Sequence, residues 1–387
     1  MHTHAKARFA TVAAATLIAL AGFTLAGPLN PPVGPVASTM KPLSEVEPRI
    51  AINASNTPGD NDAVFKISQP GSYYLTGNIQ GVAGKHGIEI LAADVTLDLN
   101  GFTLAGTPAS LSGVWFSGSS GHVEVRNGVI KDWGNHGINL RTQDARSSVV
   151  RDIRAMNNAF DGIWTSQDSE IVDSCCAGNG GKGIHADADC MILRCTSRGN
   201  GGEGISTDRG CIVEGCTVQQ NGSAGISAIG ASCTITSCTS TGNAGAGVAT
   251  GSYTIVSDVT VNSNGTYGFV VGSYSRVERC TATLNTLESV RITGSNTEVH
   301  RCTLSTASGF PVVSIDNVGG VSVTDCKLAF GTYAVQGPLA GGGFIAGNHC
   351  ASNTSGLFNV GASFKIGPVV ADGGTIQSVS PFANFDE

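Results

Sequence analysis

The sequence predicts an all-β protein, a single-stranded, right-handed parallel β-helix (solenoid) of roughly a dozen coils. Three observations carry this prediction. Asn158, Asn179, Asn200, Asn221, Asn243, Asn264 and Asn285 stand 21, 21, 21, 22, 21 and 21 residues apart. Each lies four residues before a small-apolar pair that opens a short strand: Gly162-Ile163, Gly183-Ile184, Gly204-Ile205, Gly225-Ile226, Gly247-Val248, Gly268-Phe269 and Ser289-Val290. Finally, only 13% of residues are charged, against about 25% in typical chains, and the 53 glycines are roughly twice the usual share.

A period just above 20 residues without helical spacing accommodates one coil of three short strands. Asparagine suits such a coil in two ways: it tolerates the left-handed backbone of a tight turn, and stacked amides hydrogen-bond along the axis. The apparent sequons Asn221-Gly-Ser223 and Asn264-Gly-Thr266 read as by-products of this turn chemistry. The frame extends upstream through Ile138, Val114 and Ile88 and downstream to about Val312 and Val335.

In chain order, residues 1–26 read as an export signal: His2, His4, Lys6 and Arg8 precede an uncharged run from Phe9 to Ala26. Residues 27–48 form a Pro-rich leader, 49–86 an N-terminal cap with the first strands, 87–339 the repeats and 340–387 a C-terminal cap. No later stretch is long and apolar enough to span a bilayer, so a secreted protein, extracellular or periplasmic, is expected. The net charge of −7 gives no basic footprint for nucleic acid.

Two further columns are cysteine: Cys195, Cys216, Cys238, Cys280, Cys302 and Cys326, and, five residues earlier in their coils, Cys190, Cys211 and Cys233. Alternation with Ile192, Val213 and Ile235 points them inward. Stacked residues on parallel strands lie about 4.8 Å apart with parallel side-chain vectors, whereas a disulfide wants converging vectors and a Cβ separation of about 3.5 to 4.5 Å. The columns are therefore expected to be buried thiols acting as small hydrophobes. Cys175 and Cys176 point to opposite faces and carry no redox role, and no Cys and His spacing resembles a zinc site.

This frame resembles the right-handed parallel β-helix repeat proteins of the pectin-lyase-like superfamily. It is most similar there to secreted repeat proteins of planctomycete-type bacteria. Their recurring phrases stand here as PGSYYLTGNI (70 to 79), HGIEI (86 to 90), LDLNGFTL (97 to 104), VRNGVI (125 to 130) and PFANF (381 to 385). The superfamily includes polysaccharide lyases, hydrolases and epimerases, phage tailspikes and noncatalytic surface proteins, so the resemblance implies a polysaccharide partner and leaves the activity open. It also implies a site on the sheet that begins at the Gly-Ile pairs.

Outward positions on that sheet are His136, Asn139 and Arg141, then Asp161 and Trp164, then Lys182, His185 and Asp187, then Glu203, Ser206 and Asp208. Later coils offer Ala224, Ser227, Ala246, Ala249, Tyr267 and Val270, so ionisable groups are expected to be nearly absent there. Coil length changes at the same place: the intervals are 26, 24 and 25 residues up to Ile163 and 21 or 22 after it. The extra residues around Arg141 to Ser148, carrying Asp144 and Arg146, suit a groove wall.

Asp161, Lys182, Glu203, His185 and His136 are the candidate catalytic residues; Asn139, Arg141, Trp164, Asp187, Asp208 and Arg209 are the candidate substrate contacts. A lyase or epimerase needs a base beside a uronate carboxylate, for which Lys182, His185 and His136 qualify, and a cation such as Arg141 or Arg209 to neutralise the developing charge. Hydrolysis would use Asp161, which matches an aspartate of the polygalacturonases, with Glu203. These lie two coils, about 9 to 10 Å, apart, at the upper edge for an inverting pair. The remaining aspartates and the downstream histidine and Arg-Ile-Lys motif of the polygalacturonases are missing. No metal or cofactor is assigned, although Asp187, Asp189 and Asp208 offer oxygen ligands for Ca²⁺. His86 reads as a turn residue, Trp133 as a turn cap or core filler, and Trp164 as a sugar-stacking surface. Two functions stay open: binding with lyase or hydrolase cleavage of an acidic polysaccharide, or a noncatalytic glycan-binding or structural surface module. A solvated sheet face of mixed charge is the plainest reading of the same residues.

Overall fold

Most strands are three to five residues long with alternating buried and half-buried side chains, the chain turns between them, and the coils stack by parallel pairing. The computed structural model describes residues 47–386 apart from 120, 143–146, 308 and 371–379. The expected export signal, nearly all of the leader, Asp144 and Arg146 lie outside the described residues. Residues 49–387 group as one unit, in which the described regular structure is all β.

Fourteen strands, from Ala63–Ile67 to Gly356–Asn359, form one sheet, and twenty-eight others form two ladders linked through Val123–Lys131 and Val149–Met156, each of which pairs in both. The solenoid thus has about fourteen turns. The two beyond the expected dozen lie at the ends, where the strands Ala63–Ile67 and Gly356–Asn359 lack the Gly-Ile signature. Register places Val313, rather than Val312, above Val290.

In the fourteen-stranded sheet an inward column runs Ile88, Val114, Ile138, Ile163, Ile184, Ile205, Ile226, Val248, Phe269, Val290, Val313 and Val335, each with no solvent exposure. The outward column beside it reads Glu89, Trp115, Asn139, Trp164, His185, Ser206, Ser227, Ala249, Val270, Arg291, Ser314 and Gln336. Trp133 fills the core, its Nε1 donating to the Leu104 carbonyl at 3.2 Å.

The asparagine column is a buried amide ladder. Asn179 Nδ2 and N both donate to Asn200 Oδ1 at 2.9 and 3.0 Å, and the same pair of bonds repeats from Asn158 through to Asn285. The ladder asparagines are not the left-handed residues, contrary to expectation. That conformation falls one position earlier, on Asn157, Gly178, Gly199, Gln220, Gly242, Ser263 and Leu284, which leaves the asparagine free to turn its amide inward. Both sequon asparagines are buried members of the ladder. The strand-opening glycine makes room for it: a Cβ on Gly204 would lie 2.6 Å from Asn221 Nδ2 and 2.2 Å from Val218 Cγ1.

All twelve cysteines are free thiols, eleven buried and Cys175 half-buried. They are more than small hydrophobes. The Cys195 amide donates to Cys216 Sγ at 3.4 Å, and Cys195 Sγ donates to the Leu193 and Ile171 carbonyls at 3.3 and 3.5 Å, so the sulfur closes one corner as the amide closes another. Ser174 and Asn348 hold equivalent places in the same column. Burial pushes the Cys176 thiol far above its ordinary range and Cys350 up to about 12, which keeps both protonated.

Two outcomes follow. Asn200→Ala strips acceptors from two buried donors of Asn179, each worth about 1 to 3 kcal/mol when left unmade, so denaturant unfolding should report a loss of roughly 3 kcal/mol or more. A thiol reagent should label at most Cys175 in the native protein and all twelve cysteines after denaturation; rapid native labelling of several would contradict the buried columns.

Candidate functional site

The repeat aligns three columns across the sheet: one ahead of the strand (His86, Ser112, His136, Asp161, Lys182, Glu203), the outward strand column, and one behind it (Arg141, Ser166, Asp187, Asp208). Successive members of a column, on consecutive coils, stand about 4.8 Å apart, so long side chains reach from one coil to the next.

Asp161 is the centre of the leading column, with 8% exposure. Its Oδ2 accepts from His185 Nδ1 at 3.2 Å, its Oδ1 accepts from the Lys182 amide at 2.7 Å, and its own amide donates to His136 Nδ1 at 3.2 Å. Burial alone would raise the Asp161 carboxyl, but the His185 bond, the Lys182 amide and the nearby histidines outweigh it and hold the carboxyl below its ordinary range. The partners also fix both tautomers. His185 donates from Nδ1, so the lone pair of its neutral form lies on Nε2, whereas His136 accepts at Nδ1 and carries its proton on Nε2. Burial depresses His136 further, favouring the neutral ring. His86 does the same work upstream, its Nδ1 accepting from the Ser112 amide at 3.2 Å.

Trp164 is half-buried, and its rings are in contact. His185 stacks on it from the following coil, with centroids 4.8 Å apart and planes 7° apart. The Arg141 guanidinium from the preceding coil lies 4.9 Å from its centroid, and His136 tilts against it at 5.2 Å. A sugar ring stacking flat on Trp164 must first displace one of these groups. The Trp164 Nε1 is buried without a hydrogen-bond partner among the described residues.

Lys182 Nζ donates to Ser206 Oγ at 2.8 Å and stands 4.0 Å from Glu203 Oε2. Behind the strand, Arg141 Nε donates to Asp187 Oδ2 at 3.2 Å, and Arg141, Asp187, Asp208 and Arg209 line a cleft of about 330 Å³. Asn139 Oδ1 turns back to the Arg141 amide at 3.1 Å. The eleven candidate residues therefore fall within one neighbourhood, in which Trp164, His185 and Arg141 bridge the leading and trailing columns. Among the described residues, no group of three or more His, Cys, Asp or Glu gathers as a metal site.

Sequence reasoning missed two features. Ser206 was visible as outward but gained a partner only through the reach of Lys182 across 24 residues. Trp115, two coils before Trp164 in the same outward column, stacks on His86 with centroids 4.2 Å apart. The expectation that ionisable groups are nearly absent after Asp208 does not extend to the last coils: Arg291 occupies the outward column, with Glu288 and Asp316 beside it around a further cleft.

The family of right-handed β-helix regions matches residues 75–208 and 185–355. None of the curated proteins matches the chain. Solved structures with a similar fold include the Azotobacter vinelandii mannuronan C-5 epimerase AlgE4 A-module, at 15% identity over 82% of this chain and 88% of that one, with a TM-score of 0.47. The periplasmic alginate epimerase AlgG matches at 12% identity over 87% and 80% of the two chains, with a TM-score of 0.38. An α-1,3-glucanase catalytic unit from Streptomyces thermodiastaticus matches at 14% identity over 82% and 68%, with a TM-score of 0.26. Likeness at these levels concerns the fold and leaves the chemistry to the site.

The buried acceptor role of His136 gives a pH signature. Its folded pKa lies below the ordinary 6.5, so its contribution to stability is complete above that value and is lost as pH falls through the depressed one. Asp161, lowered from 3.8, behaves likewise at more acidic pH. Thermal unfolding should therefore shift down between about pH 7 and about pH 5, and His136→Asn, which keeps an acceptor without the titration, should flatten that shift. An unchanged pH dependence in His136→Asn would remove His136 from this role.

Proposed function

This chain belongs to the right-handed β-helix family, and from that premise we propose that it is an exported protein that binds an acidic polysaccharide along the face from His136 to Arg209 and removes the proton beside a uronate carboxylate. Kinship with the planctomycete-type secreted repeat proteins is part of the same proposal. The observation that carries it is the Asp161 to His185 hydrogen bond, which fixes the Nδ1–H tautomer and presents Nε2 as a base beside Lys182. Lys182 supplies positive charge where the carbanion's charge develops. Arg209 and Arg141, beside Asp187 and Asp208, hold neighbouring uronate and hydroxyl groups.

Elimination or epimerisation fits this arrangement better than hydrolysis. A hydrolase needs one carboxylic acid to protonate the leaving group. Asp161 is held ionised with both oxygens engaged, and so is unsuited either to that task or to activating a water, which leaves Glu203 without the second carboxylate a hydrolase needs. His136 is likewise a poor base, because its Nδ1 lone pair already receives the Asp161 amide. Its role in this scheme is to hold Asp161.

Pectate, alginate and sulfated glycans are incubated with the protein in D₂O, with calcium added or chelated, and scored for unsaturated ends, deuterium beside the carboxylate and new reducing ends. The expected result is unsaturation or deuterium uptake on a uronate polymer, falling by about 10² or more in His185→Ala. Asp161→Asn should lower turnover with little change in polymer binding, while Arg209→Ala should raise KM. Undiminished turnover in His185→Ala would refute the assignment, and binding without turnover on every polymer would leave the noncatalytic glycan-binding reading.

A further inference from the structure

The same sheet carries a second cleft in its later coils. It has a volume of about 520 Å³ and is lined by Glu288, Arg291, Phe310, Ser314, Asp316 and Gln336 among others. The coil from Val290 to Val313 is 23 residues long, and its extra length carries Phe310 and Pro311 to one side of the cleft. Arg291, Ser314 and Gln336 are consecutive members of the outward column that also holds His185 and Ser206. Arg291 is four coils beyond Ser206, about 19 Å at strand spacing, and the steps between are the small or uncharged Ser227, Ala249 and Val270.

The chemistry of the two clefts differs. The Arg291 guanidinium is already spent: Nε and Nη2 donate to Asp316 at 3.3 Å, Nη1 donates to the Tyr267 hydroxyl, and the group lies 5.2 Å from the Tyr267 ring centroid. The Glu288 carboxylate, half-buried, has no hydrogen-bond or ion-pair partner among the described residues. An anionic ligand would meet Glu288 and Asp316 without a free cation to receive it. Hydroxyl donors, by contrast, find acceptors in Glu288, Asp316 and Gln336, and Phe310 and Pro311 offer an apolar edge for the C–H face of a sugar ring.

We propose that this cleft is a separate carbohydrate site that takes an uncharged, hydroxyl-rich sugar residue, with Glu288 as its principal hydroxyl acceptor and Phe310 as its apolar edge. The site goes beyond the proton-abstraction reading and stands without it. If both hold, the polymer engages acidic sugars at the early coils and neutral ones at the later coils.

The test is calorimetric titration of the full chain with neutral hexasaccharides of glucose, mannose, galactose and xylose, an oligogalacturonate and an oligoglucosamine. At least one neutral hexasaccharide is expected to bind, with affinity reduced about tenfold or more in both Glu288→Ala and Phe310→Ala and unchanged in His185→Ala. Far-ultraviolet circular dichroism checks that the variants fold, and Glu288→Gln, which retains an acceptor oxygen, should recover part of the binding. No neutral binding, binding insensitive to Glu288 and Phe310, or tighter capture of the oligoglucosamine would overturn the assignment. Loss of uronate turnover in His185→Ala with intact neutral binding would separate the two sites, and failure of every uronate polymer would count against the first reading alone.

Discussion

The amide ladder is the constraint on which the rest of this structure depends. A buried asparagine side chain is costly unless both its donor and its acceptor functions are met. Here they are met by the equivalent residue one coil away: Oδ1 takes two bonds from the preceding coil, and Nδ2 passes one to the next. Slipping a single coil by one residue would break several such bonds at once and turn an apolar column out to water. The cysteine column repeats the arrangement at another corner with weaker sulfur bonds, which tolerates replacement by Ser174 or Asn348 at its ends. Where the chain departs from the pattern, the ladder ends: Asn285 Nδ2 has no partner, and the adjoining ladder shifts register between Ala282 and Asn285.

Because register is fixed this way, much of the molecule was legible from spacing alone. The Gly-Ile frame sorted inside from outside, and Trp164, His185 and Ser206 all fall on the outward column it implied. Less legible were the ends. Strands such as Gly71–Tyr74 and Gly343–Ala346 belong to the ladders but lack the repeat's signature, since end coils bear on dissimilar neighbours. The left-handed position was misjudged by one residue because turn propensity and amide stacking both favour asparagine, and only geometry separates them.

The site itself was legible as a set and illegible as a network. Column membership follows from periodicity, but the partners of a side chain depend on its reach across coils. Asp161 joins His185 over 24 residues, and Arg141 joins Asp187 over 46. Trp164 illustrates the gap: its outward parity was readable, while the stacked His185 and overlying Arg141 that cover it were not. Arg291 was overlooked for a related reason, since it follows three uncharged members of its column.

The same register that builds the fold also sets the chemistry of His185. A free imidazole distributes its proton between two nitrogens, and either choice is open to rotation. Here the His136 Nδ1 lone pair holds the Asp161 amide, the Lys182 amide holds Oδ1, and Oδ2 is left for one further donor. His185 fills that place, and its proton must sit on Nδ1 because a carboxylate only accepts. The stacked Trp164 ring then limits rotation of the imidazole. Three consecutive coils thus supply His136, Asp161 and His185, each delivered by a backbone position the ladder has already fixed. A set of residues held this way takes its geometry from the stack of coils beneath it.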